Sequence, residues 1–308
     1  MVVAEPLTNI SATAGLYSQI AGVLAGFAFT ALLLYLNRTP DTPEQVKEVD
    51  PSQADEATRV HRQVTVVLFN TLGALIICAV QYGVLAGGPP DSGNSLSGTM
   101  LNGPAFSLAI LGMFYATALA AAPFGHLAPM LASARILVGA IGPVIAMLLI
   151  ASAALDIHIS GCVARAAASQ GTTTVCRTDT EIALDRPYGF ALALTALMLL
   201  IGVLALTVFR QPTRPAPLWI PKAMAHLIIG AAAITTFGTV FLGTRPVSYL
   251  LPSPALFAVL TSAFAILTSF AVMAARSCHH IQDAQPGGAH RDGATPPAVL
   301  RPIPSTPA

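Results

Sequence analysis

Four cysteines, seven histidines and a few amides set in apolar runs are the residues of this 308-residue chain best equipped for chemistry. Cys162 and Cys176 bracket VARAAASQGTTTV, a small polar stretch between two apolar runs. A bridge between them would close a loop of about 15 residues and contribute roughly 3 kcal/mol in the chain-entropy model. Such a pair persists on an oxidising side of a membrane. Cys78 sits within an apolar run and reads as a small core residue. Cys278, in RSCHHIQD, is placed for palmitoylation or for no role at all.

The histidines are less promising. His126 and His226 are expected near one face of the membrane and His158 near the other. A metal site needs three or four ligands with supporting groups behind them, and no such set is visible. Neither a metal nor a cofactor is expected. The chain also lacks a serine-nucleophile motif, a phosphate-binding loop and a dinucleotide fingerprint.

Neutral polar residues form stripes instead. Asn70, Gly73 and Gln81 share a helical face, because eleven residues return to nearly the same angle. Ser18, Gly22, Gly26 and Thr30 recur every four residues, with Gln19 beside them; Ala231, Thr235, Thr239 and Gly243 repeat that spacing. Small side chains let helices approach closely, and amides and hydroxyls hydrogen-bond across the gap. Three readings are open. Gly22, Gly26, Thr235 and Thr239 serve helix packing within one bundle; Gln19, Asn70, Gln81 and Tyr115 line a ligand-binding cavity; or Gly22 and Gly26 mediate a homo-oligomer.

The elements that must carry these residues follow from composition. The chain is 54% hydrophobic and 9% charged, against roughly 25% charged residues in soluble domains. Its solvent is therefore lipid. Arginine outnumbers lysine 13 to 2, and alanine is abundant, as expected of a GC-rich bacterial genome. A net charge of +1 without a basic cluster speaks against nucleic-acid binding.

Stretches of about 20 apolar residues predict seven spans: Gly15–Leu36, Val64–Gly87, Pro104–Ala122, Ser133–Leu155, Tyr188–Phe209, Lys222–Leu242 and Pro254–Ala275. Pro143 should kink the fourth. No basic residue precedes the first span, which is therefore read as retained and not as a cleaved leader. The fold class expected is all-α: a polytopic membrane protein built as a seven-transmembrane-helix bundle.

Eleven Lys and Arg fall on one side of these crossings and four on the other. The positive-inside rule puts the N-terminus outside and the C-terminus in the cytoplasm of an inner (plasma) membrane. Residues 1–276 then form the membrane domain, with a cytoplasmic loop at 37–63 and an extracytoplasmic loop at 156–187. Residues 277–308, with six prolines, form a disordered cytoplasmic tail. The charged 37–63 segment, with a helix starting near Asp50–Pro51, offers a surface to a cytoplasmic protein partner.

No Asp or Glu lies inside a predicted span, and the nearest, Asp156, sits at the outer end of the fourth. This weighs against proton coupling and against a carboxylate-lined channel. The expected function is a non-catalytic sensor, scaffold or interaction protein. The alternative is an uncoupled permease or channel for a small neutral solute.

Overall fold

A helix built from long runs of alanine, leucine and valine is apolar on nearly every side, and it holds only where its surroundings are apolar too. The computed structural model describes residues 10–37, 51–89, 92–121, 128–168, 186–208 and 219–283. They form α1 (Ile10–Leu36), α2 (Pro51–Ala86), α3 (Gly93–Ala121), α4 (Ala128–Ile136), α5 (Gly142–Ala168), α6 (Pro187–Val208), α7 (Ile220–Gly243) and α8 (Ser253–Asp283). A π-helical turn, Leu137–Ile141, joins α4 and α5 into one continuous helix. Seven helices are thus long and apolar enough to cross a membrane, and no strand occurs among the described residues. Large apolar side chains cover their outward faces; Phe237 is 78% exposed.

α3 is the axis of the packing. Buried residues make up 67% of its most apolar stretch, against 22% for α1. Its sequence alternates glycine, serine and alanine with larger residues, so α2, α5, α7 and α8 can all approach it. α1 is peripheral and rests mainly on α2. A ridge of Ala14, Ala21, Ala25, Ala28 and Leu32 is buried there, and Ser18 Oγ donates to the Ala79 carbonyl at 2.8 Å. Where α1 ends, Tyr35 stacks on His61 of α2, centroids 4.6 Å apart.

The expected kink at Pro143 meets a specific backbone device. Proline has no N–H to complete a helical bond. One residue earlier, the Gly142 N–H reaches five residues back to the Leu137 carbonyl, which closes the wide π turn. α6 crosses this turn at Gly202, where a Cβ would lie 3.1 Å from both the Ala140 Cα and the Gly139 carbonyl oxygen.

Several sequence boundaries move. The third helix begins at Gly93 and not at Pro104, which lies inside it. A run of Gly, Ser and Asn reads as a loop, yet Ser95, Ser97 and Asn102 are buried by packing. Ser92 caps this helix, its Oγ accepting from the Ser95 N–H at 3.1 Å. α5 runs to Ala168, so Cys162 stands in its last turns and not in a loop; the alanines of VARAAA favour helix. Cys176 lies outside the described residues, as does most of the 156–187 segment. α2 starts at Pro51, where a helix start is expected, ahead of its apolar stretch at Val60, so the second half of the 37–63 segment is helical. α8 continues to Asp283, beyond the expected span end at Ala275; residues 284–308 lie outside the described residues.

The glycine contacts give a paired test. Gly202→Leu should lower the thermal midpoint in mild detergent by the equivalent of about 1–3 kcal/mol, because backbone cannot move aside for it. Gly22→Ala, with no atom within 4 Å of the added Cβ, should leave the midpoint unchanged or slightly raised.

Candidate functional site

Polar side chains carried by apolar helices have to be paired within the protein, and where they gather is where a site could form. Two such places stand out among the described residues. The first is a buried seam between α2, α3 and α7. Gln81 Nε2 donates to Thr236 Oγ1 at 2.6 Å, and Thr235 Oγ1 leans toward Gln81 Oε1 at 3.4 Å. Thr239 Oγ1 reaches Asn102 Oδ1 at 3.3 Å. The hydroxyls of Thr235 and Thr239 give their shorter bonds, 3.0 and 2.9 Å, to carbonyls of their own helix. The Asn102 amide nitrogen and the Thr71 hydroxyl, in residues with no exposed surface, have no partner among the described residues.

The second place is a cleft of about 80 Å³ at the end of the bundle that holds the start of α1. Its deep wall is Tyr82, Met100, Phe106 and Ile150, all buried. Its rim includes Thr13, Leu149 and Ser152, which are exposed. Thr99, Ser107 and the carboxyl-bearing Asp156 add polar groups between them. Tyr17, Tyr82 and Phe106 form a triangle of rings, with centroids 5.3 Å (Tyr17–Tyr82), 5.9 Å (Tyr17–Phe106) and 5.7 Å (Tyr82–Phe106) apart.

The residues expected to line a single cavity occupy different surroundings, and none of them lines this cleft. Gln81 is buried in the seam. Asn70 is half-buried and its amide donates to the Val66 carbonyl of its own helix at 2.8 Å. Gln19 is exposed on α1. Tyr115 is fully buried, edge-on to Phe270 at 6.3 Å. Thr235 and Thr239 face other helices, as just described. A Cβ added at Gly22 or Gly26 would meet nothing within 4 Å beyond its own helix, because the neighbouring alanine ridge takes the contact with α2.

The cleft is not visible in the apolar pattern: Tyr17 and Tyr82 lie near the ends of the first and second expected spans, and Asp156 just beyond the fourth. A combined signal was available: two tyrosines and an otherwise isolated acid, all near span ends on the same expected side. Among the described residues, no three His, Cys, Asp or Glu side chains come together in a way that could hold a metal ion. The chain matches no family model, no curated protein and no solved structure in these comparisons.

The seam yields a measurable coupling. A double-mutant cycle between Gln81→Leu and Thr236→Val, read by thermal or denaturant unfolding in detergent, should give an interaction of roughly 0.5–2 kcal/mol, the range of interhelical hydrogen bonds in membranes. The same cycle between Gln19→Leu and Thr236→Val should give none.

Proposed function

We propose that this chain is a seven-span protein of the inner (plasma) membrane that senses a small ligand and catalyses nothing itself. In this reading the cleft opens on the outer side, where the N-terminus lies. The end of α2 that begins at Pro51 faces the cytoplasm and a protein partner there.

One observation carries the proposal. α2 supplies Tyr82 to the deep wall of the cleft and runs without a break from Pro51, so the two ends are joined by roughly 46 Å of a single helix. A shift or rotation of Tyr82 on ligand binding would be delivered to the far end as a rigid movement, the kind of small helix displacement that switching proteins use. A wall of buried residues beneath the cleft favours binding over passage.

The test uses the full chain in liposomes, with its native cysteines replaced and spin labels at Arg62→Cys on α2 and Arg276→Cys on α8. Filling the cleft with Thr99→Phe should shift the distance distribution between the labels by an ångström or more. An unchanged distribution, with the protein still folded, would remove the sensor reading.

A second reading rests on the seam. Its unpartnered Asn102 amide and Thr71 hydroxyl would suit a path for a small neutral solute. Proteoliposomes should then take up urea or glycerol faster than empty vesicles, and Gln81→Leu should abolish the difference. On the sensor reading uptake equals that of empty vesicles.

A further inference from the structure

The cleft has a definite chemical character. Three aromatic rings close a triangle at its inner end, and aromatic faces are electron-rich. The Asp156 carboxyl and the hydroxyls of Thr99, Ser107 and Ser152 supply acceptors. No lysine, arginine or histidine is among the described residues that line it. A pocket with a carboxylate, ring faces and hydroxyls, and no basic side chain, repels anions and gives a neutral apolar solute no use for its acid.

Size and chemistry together narrow the ligand. At the ~10–15 Å³ that one water needs, about 80 Å³ holds roughly five to eight waters, or one ammonium head carrying methyl groups. Bare sodium or calcium would ask for several oxygens converging at short range, and the rings take up much of that wall. A methylated ammonium has a diffuse charge and an apolar skin. It is bound by ring faces within about 6 Å and steered by a carboxylate, and this is how aromatic cages select quaternary ammonium groups.

We propose that the cleft framed by Tyr17, Tyr82, Phe106 and Asp156 is a binding site for a small alkylammonium cation. This rests on the sensor reading and names its ligand class. The cation comes either from a free solute or from a lipid headgroup, since the exposed rim residue Leu149 lies on the outward face of α5. The ammonium chemistry is the same in both cases.

Purified full-length protein in a maltoside detergent, which carries no ammonium group, is titrated calorimetrically with choline and with its neutral carbon isostere, 3,3-dimethylbutan-1-ol. Choline should bind at least tenfold more tightly. Asp156→Asn, close to isosteric, should weaken choline at least tenfold without lowering the thermal midpoint. Phe106→Leu, which removes one ring, should weaken it roughly 3- to 30-fold. If Asp156→Asn fails to fold, the Phe106 variant and the isostere comparison still decide.

Equal binding of choline and the isostere would overturn the cation assignment while leaving a ligand-binding cleft. So would failure of choline to bind, in which case the spin-label distances judge the sensor reading on their own. Nanodiscs distinguish the sources. Choline binding that persists in phosphatidylglycerol and disappears in phosphatidylcholine supports the site with a lipid headgroup as occupant. Binding that persists in both supports it with a free cation.

Discussion

Inside a bundle whose outer faces are apolar, a polar group has no water to fall back on, and it must be satisfied by another part of the same chain. That constraint organises the molecule. It explains why hydroxyls on α7 bend first to their own backbone carbonyls and only then toward α2 and α3. It explains why Gln81, the one glutamine enclosed by the bundle among the described residues, is met by two threonines. It also makes the exceptions informative: the Asn102 amide nitrogen and the Thr71 hydroxyl, in residues with no exposed surface, have no partner among the described residues.

α3 makes this arrangement possible. With glycine and serine along its length it lets its neighbours close around it, and the same helix carries residues of both the seam and the cleft. Asn102 belongs to the seam, while Thr99, Phe106 and Ser107 belong to the cleft. One central helix therefore borders both polar regions, and α2, through Gln81 and Tyr82, is the other element they share. Successive residues on a helix point about 100° apart, so adjacent positions serve different neighbours.

The number and rough positions of the helices were legible in the amino-acid sequence because apolar length is a one-dimensional signal. The ends were harder to read. Ser95, Ser97 and Asn102 look like loop residues until packing buries them, and Asp156 looks like a boundary residue until α5 is seen to run to Ala168. The cleft was hidden for a different reason. Its residues come from four helices, and the hydropathy of each helix says nothing about which faces its neighbours share. Stripes at four-residue spacing showed a similar limit: Gly22 and Gly26 are exposed, while the adjacent ridge of Ala14, Ala21, Ala25, Ala28 and Leu32, at alternating wider and narrower spacings, is buried.

A largely apolar cleft carrying a few polar groups opens at the end of the bundle that holds the start of α1 and is closed beneath by packed side chains. It is tested most directly by a membrane-impermeant thiol reagent applied to one side at a time of membranes carrying the otherwise cysteine-free protein, tagged at its N-terminus. Thr99→Cys should react only from the side that displays the tag, and Thr235→Cys from neither side. Reaction of Thr99→Cys from the opposite side, or of Thr235→Cys from either, would contradict the account.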